Sequence, residues 1–148
     1  MIEVRAIDPG RDMNEWLRMR LALFDDEDAA EQQQEMTTLL AAPDENGVFV
    51  ADRPLTGLAG FVEVGARKYA EGCTTSPVAY IEAWYVDEDS RRLGVGRRLI
   101  AAAEAWTRKQ GYQEIASDCL IDNSVSLAGH LALGYEEVER QICFIKTL

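Results

Sequence analysis

Histidine occurs once in this chain, at His130, and cysteine three times, at Cys73, Cys119 and Cys143, with no two cysteines at metal-ligand or CxxC spacing. A zinc site built from these residue types is not expected, nor any other metal. Three scattered thiols read as reduced cysteines of a cytoplasmic protein. Basic residues are also scarce. Lys and Arg number 15 against 26 Asp and Glu, a formal net charge of −11. That argues against a nucleic-acid partner, because phosphate contacts need basic surface, and it permits a cationic substrate. No stretch approaches the roughly 18 apolar residues of a membrane span. The opening MIEVRAIDPGRD is charged within its first five residues and lacks the apolar core of a signal peptide. No membrane association is expected. There is no internal repeat, linker or low-complexity tract. What is present is 148 residues, 47% of them hydrophobic, which predicts one domain over residues 1–148 with a sizeable core.

Residues 2–6 alternate and predict a short strand, and Asp8 or Asp12 is placed to cap the helix that follows. Trp16, Met19, Arg20, Leu23 and Phe24 recur at helical spacing. A second helix is expected over about residues 28–40, ended by Pro43, Asn46 and Gly47. Strands are predicted at 48–51, 58–64 and 78–86, the last apolar apart from Glu82, with a polar loop over 65–77. From Val95 to Lys109, Leu99, Ile100, Ala103 and Trp106 mark an amphipathic helix closed by Gly111. A strand at 114–117, a helix at 123–133 and a strand or hairpin at 135–146 complete the order β-α-α-β-β-β-α-β-α-β, an α/β layered domain.

RRLGVGRRLI, residues 91–100, gathers four arginines around two glycines in an otherwise acidic protein. It lies between the strand at 78–86 and the helix from Val95. The first N–H groups of a helix have no internal partner and carry the positive end of its dipole. Glycines let backbone approach a ligand closely. Strand, glycine loop and helix start together make a phosphate site. The plainer reading is a glycine turn beside a solvated basic helix face.

R-x-x-G-x-G after an apolar strand resembles the pyrophosphate loop of the Gcn5-related N-acetyltransferase (GNAT) superfamily. The resemblance runs along nearly the whole chain. The group it looks most like is the aminoglycoside 6′-N-acetyltransferases. Four segments in order carry it: Tyr69–Val78, Tyr80–Val86 with an inward Glu82, Ala116–Asp118 followed by Asp122 and Asn123, and His130–Glu139. The match is looser over the first 60 residues. Phe24 and Ala83 depart from the usual Trp and Gly. The resemblance implies a GNAT fold, with a mixed, mostly antiparallel central sheet flanked by helices. It implies acetyl-coenzyme A as cosubstrate, an aminoglycoside as substrate, antibiotic resistance as the outcome and a homodimer. Polyamine or protein-lysine acetylation, and a coenzyme A-binding module without turnover, are the rival readings.

On this resemblance, Arg91, Arg92, Leu93, Gly94, Val95, Gly96 and Arg97 hold the pyrophosphate, and Trp84, Tyr85 and Val86 pair with the pantetheine arm. Asn123 reaches the same arm; as the first residue of a helix it is equally a plain N-cap. Glu82, a carboxylate in an apolar strand, is the candidate base, against a solvent-facing bulge residue or an Arg-paired one. Asp118 and Glu139 are candidate ligands of the substrate's ammonium groups, and Phe24 and Tyr69 candidate walls for a sugar ring. Asp118 also suits a turn, and Phe24 a core position. Asp25, Asp26, Glu27 and Asp28 offer an acidic rim or merely a solvated loop. His130 is the candidate acid for the departing thiolate, against a structural helix residue. No base adjoins any cysteine, so a covalent acyl-enzyme is not expected.

Overall fold

The computed structural model describes all residues 1–148. Strands β1 (Glu3–Ala6), β2 (Gly47–Arg53), β3 (Gly57–Arg67), β4 (Val78–Val86) and β5 (Ile115–Ala116) form one sheet in that order. The first three pairings are antiparallel and β4–β5 is parallel. Helices α1 (Met13–Leu23) and α2 (Ala29–Ala41) connect β1 to β2. Helix α3 (Val95–Lys109) connects β4 to β5, and α4 (Ser124–Ala132) follows β5. This is the expected mixed, mostly antiparallel α/β fold, with one element missing. The strand or hairpin expected at 135–146 does not form, because β5 is two residues long and no strand of this chain lies against that segment. Its apolar side chains stay in solvent: Ile142, Phe144 and Ile145 are 81%, 90% and 96% exposed.

Helices cover both faces of the sheet, so its central strands carry apolar residues on both sides. Leu99, Ile100, Ala103 and Trp106 of α3 pack on Ala59, Val62, Ala79 and Ile81. Trp16 and Met19 of α1 and Met36 of α2 pack on Val50, Leu58, Phe61 and Ala83. A bulge in β4 reconciles the two sets. Val64 faces Ile81 and Glu63 faces Ala83, which leaves Glu82 without a partner. Before the bulge Ala79 and Ile81 face α3; after it Trp84 and Val86 do. At Gly60 any Cβ would lie 2.5 Å from the Tyr85 carbonyl oxygen, so only glycine lets β3 and β4 meet there.

Two buried ionic clusters tie the helices to the sheet. Under α1, Arg20 Nη1 donates to both Glu63 oxygens at 2.6 and 2.7 Å, Arg20 Nε donates to Gln32 at 2.6 Å, and Trp16 Nε1 donates to Glu63 at 2.9 Å. At the end of β4, Asp87 accepts from Arg18 at 3.0 and 2.9 Å and from Arg53 at 2.8 Å, while its N–H donates to Ala59 O at 2.7 Å. Asp12 takes the N-cap position of α1 but leaves the helix uncapped. Its carboxylate turns back to Arg5 and to the Asp8 N–H.

Removing one partner of a buried pair strands the other. Glu63→Leu is therefore expected to cost about 3–5 kcal/mol in urea unfolding, and Arg20→Met added to Glu63→Leu should regain most of it. A single-variant loss that the double variant does not recover would contradict this. Burial alone would raise the carboxyls of Asp12 and Asp87. Arg5 at one and Arg18 at the other overrule it and hold both below the ordinary value of 3.8. A lowered carboxyl stabilises the fold above its unfolded value and loses that contribution as it is protonated. The urea midpoint should therefore fall as pH drops below about 4, and less steeply in Asp87→Asn.

Candidate active site

The turn from β4 into α3 leaves backbone donors free. A 3-10 turn, Glu88–Ser90, leads to Arg92 at φ 65° and to Gly94 at φ 79°, the N-cap of α3. Gly94 supplies no side-chain cap, and a Cβ there would meet nothing within 4 Å. The opening is an exposed, uncapped helix start that favours an anion. Arg5, Arg11, Arg18, Arg20, Arg53, Arg67 and Arg140 each hold a carboxylate. Arg91, Arg92, Arg97 and Arg98 form no ion pair within 4 Å. Arg91 donates to Val86 O at 2.9 Å and Arg98 to Ile2 O at 2.7 Å, while Arg92 and Arg97 make no side-chain bond. In a chain of charge −11, four neighbouring arginines without a carboxylate partner stand out beside this helix start.

A free strand edge leads to this cradle. β4 pairs with β5 only at Ala79 and Tyr80, so from Ile81 onward its second edge is open. The N–H and C=O of successive strand residues point to opposite sides. Asp87 N–H and the Phe61–Tyr85 pairing turn Tyr85 toward β3, and the Val86 carbonyl, bonded by Arg91, points away from it. Trp84 and Val86 therefore offer the open edge. The expectation that the Tyr85 N–H also faces a ligand is corrected: β3 uses it. The Trp84 ring lies between Gly96 and Gly129, where added Cβ atoms would each approach it to 3.1 Å, and its Nε1 is buried without a partner.

At the other end of that edge, the bulge turns Glu82 outward rather than into the core, which corrects the expectation of an inward side chain. Arg67 meets it in a two-pronged ion pair, Nε to Oε2 at 2.9 Å and Nη2 to Oε1 at 2.6 Å. The same guanidinium lies 3.5 Å from the centroid of the Tyr80 ring, and the Tyr80 hydroxyl donates to Asp118. Burial first, then the Asp118 carboxylate, push the Tyr80 phenol well above its ordinary value, so it stays a donor. The expected pair Glu82 and Asp118 is thus brought into one cluster, through two residues that the sequence reading did not assign there. Arg67 fell in a loop because β3 was expected to stop at 64. Pairing of Arg67 with Val78 carries the strand on.

The remaining candidates divide. Tyr69 is 69% exposed, beside the cluster in sequence. Phe24 ends α1, half-buried, with Arg20 5.3 Å from its ring centroid. Glu139 lies on the exposed terminal segment and bonds to no member of the cluster. In the acidic loop, Asp28 and Glu31 form a capping box on α2 and Glu27 accepts from Gln32, leaving Asp25 and Asp26 without hydrogen bonds. Asn123 caps α4, accepting from Ser126 N at 3.0 Å. His130 has both ring nitrogens engaged: Nδ1 meets the Ser126 carbonyl at 2.7 Å and Nε2 the Ser117 hydroxyl at 2.8 Å. A carbonyl only accepts, so Nδ1 carries a proton, and Nε2 shares one with the Ser117 hydroxyl. Both ring nitrogens are engaged by the fold, which favours the structural reading of His130 over the acid one. No three His, Cys, Asp or Glu side chains are grouped to hold a metal, and no helix is long and apolar enough to cross a membrane.

A basic, uncapped helix start, an open edge of the central strand and an acidic cluster in line along it fit an acyl-coenzyme A acyltransferase architecture. Residues 11–135 match the Acetyltransferase (GNAT) family, and the chain belongs to that family. It is 41% identical over 139 residues to an aminoglycoside N(6′)-acetyltransferase type 1 of Klebsiella aerogenes, covering 93% of this chain and 91% of that protein. The corresponding Serratia marcescens protein is 41% identical over 138 residues, covering 92% and 93%. Among solved structures, AAC(6′)-Iy in complex with the bisubstrate analogue CoA-S-monomethyl-acetylneamine superposes with a TM-score of 0.92 at 30% identity, over 100% of this chain and 99% of that one. AAC(6′)-Ih from Acinetobacter baumannii gives 0.90 at 30% identity, over 100% and 99%.

His130 as a structural joint has a measurable consequence. His130→Phe keeps the ring against Trp84 but strands the Ser117 hydroxyl. It should lower unfolding free energy by about 1–2 kcal/mol, read by urea titration. No loss of stability would contradict the joint.

Proposed function

We propose that this chain, acting as a single domain over residues 1–148, transfers the acetyl group of acetyl-coenzyme A to the 6′-amine of an aminoglycoside, by direct attack in a ternary complex. The observation that carries the reading is the continuous track from the uncapped start of α3, along the open edge of β4, to Glu82. The residues fit the cosubstrate on this structure's own terms. Arg92, Arg97 and the N–H groups from Gly94 to Arg97 suit a pyrophosphate, and the edge at Trp84 and Val86 suits an extended amide arm. Asn123 is assigned to the same arm by the family resemblance. Acetyl-coenzyme A supplies an acetyl group activated as a thioester.

The chain's own residues do the rest. Asp118, Glu139 and the unpaired carboxylates of Asp25 and Asp26 attract and orient a polycation. Tyr69 and Phe24 offer ring faces to a sugar. Glu82 takes the proton from the substrate ammonium, directly or through a water. The freed amine forms the C–N bond as the C–S bond breaks, the sulfur leaves with the electron pair, and the thiolate takes up the proton that the nitrogen sheds in becoming an amide. The product amine has lost its charge, which weakens its hold on anionic RNA; resistance to the drug follows from that loss. The burial and Glu114 carboxylate that raise the Cys73 thiol, and the lack of a base near Cys119 or Cys143, favour this route over an acyl-enzyme. Three unpaired thiols suit the cytoplasm, where the cosubstrate is available. The exposed apolar segment around Ile142, Phe144 and Ile145 suits burial against a second copy in a homodimer.

Thiol release from acetyl-coenzyme A tests the reaction. Kanamycin, which has a 6′-amine, should be acetylated, and paromomycin, which has a 6′-hydroxyl, should not. Turnover confined to a polyamine or a lysine peptide would overturn the substrate. Glu82→Gln should lower kcat with kanamycin about 10²- to 10⁴-fold; a loss below tenfold would remove Glu82 as base. Sedimentation should give a dimer, and deletion of residues 141–148 a monomer.

A further inference from the structure

The carboxylate assigned to accept the substrate's proton already has a cation. Arg67 occupies both Glu82 oxygens with its fork, at 2.9 and 2.6 Å, and covers the ring of Tyr80, whose hydroxyl is bonded to Asp118. One guanidinium thus stands on Glu82 and across a single ring from Asp118. The pair is not part of the core: its side chains are 44% and 37% exposed. Ion pairs this open contribute little to folding, so stability does not account for it. Nor does Arg67 release it by losing its proton, because the Glu82 carboxylate beside it raises the guanidinium further above its ordinary value, and arginine stays charged throughout the working range. Elsewhere in the sheet the same side-chain type pairs from half-buried positions, as Arg5 and Arg53 do. Only Arg67 spends its charge at the mouth of the candidate acceptor site.

We infer that Arg67 is a resident counter-cation that an acceptor ammonium has to displace from Glu82, and that it is a specificity-determining residue favouring polycationic over singly charged amines. The inference rests on the proposed acetyl transfer. A single ammonium arriving at Glu82 exchanges one ion pair for another and gains no charge contact. It also gives up a two-pronged, ring-stacked partner for a point charge. A polycation meets Asp118 with a second ammonium in the same event, so its gain exceeds the loss. The tether matters as well: a displaced Arg67 remains on β3 and returns as soon as product, one charge poorer, loosens. Arg67 acts here by competing for the base, not by taking part in bond making.

Steady-state kinetics of the full chain decide it. The acceptors are kanamycin and a methyl 6-amino-6-deoxyglucoside, which offers a comparable amine and ring with a single charge. Arg67→Gln removes the competing charge and should lower KM for kanamycin about fivefold, the scale of one half-exposed ion pair. KM for the monoamine should fall by more, so that the preference for kanamycin narrows. Arg67→Lys, which keeps the charge and loses the fork and the stacking, should lie between wild type and Arg67→Gln. KM for acetyl-coenzyme A, read in the same assays, reports that the cosubstrate site has survived. An unchanged or raised amine KM in Arg67→Gln overturns the inference. So does a fall in kcat at unchanged KM, which would make Arg67 a holder of the Glu82 carboxylate rather than its competitor. A wild-type protein that acetylates neither amine overturns the functional reading itself, which is a separate result.

Discussion

A central strand with one edge left open is the constraint on which the rest of this structure depends. Unpaired backbone at the heart of a sheet is costly unless a ligand or water completes it. β4 is held in that condition from several sides. Its faces are sealed by α3 on one side and by α1 and α2 on the other. Its end is pinned where Asp87 takes two arginines and its N–H returns to β3. Gly60 lets β3 lie close enough to keep the first edge paired. β5 leaves after two residues, and α4 follows it, wedged apart from α3 by the Trp84 ring between Gly96 and Gly129. The gap is a product of the packing around it.

The charges are arranged along the same line. Most arginines are consumed by carboxylates, several of them in buried or half-buried networks, and the surplus acid is spread over the remaining surface. At one end of the open edge Arg92 and Arg97 hold no carboxylate and flank an uncapped helix start. At the other end the sign reverses, with Glu82 and Asp118 partly masked by Arg67 and Tyr80. In the proposed reaction an anionic cosubstrate and a cationic acceptor are drawn to opposite ends of one strand. Geometry alone then sets where their reactive groups meet.

Much of this was legible in the residues. The amphipathic pattern of α3 and the glycine-arginine turn before it are local signals, and both appear at the expected positions. Glu82 stood out as a lone charge in an apolar strand. Its direction did not, because a bulge is set by the register of β3 against β4 and leaves no local mark. Arg67 was missed for a related reason: its strand continues only because Val78 pairs with it. The Arg20–Glu63 pair joins residues 43 positions apart, of which only Arg20 had a helical context to mark it as inward. His130 meets the Ser126 carbonyl of its own helix and the Ser117 hydroxyl just past β5, and no local pattern marks the second contact. The terminal segment has a strand's apolar content, but a strand also requires a neighbouring edge, which this chain alone does not supply.

In the proposed reaction the cosubstrate's amide arm pairs with the open edge at Trp84 and Val86. Amide hydrogen exchange, read residue by residue with and without coenzyme A, tests it most directly. The Trp84 and Val86 amides should exchange freely in the unliganded protein and slow strongly on binding, while the Tyr85 amide, already bonded to β3, should be slow in both. Tight coenzyme A binding that leaves Trp84 and Val86 as exposed as before would contradict the claim.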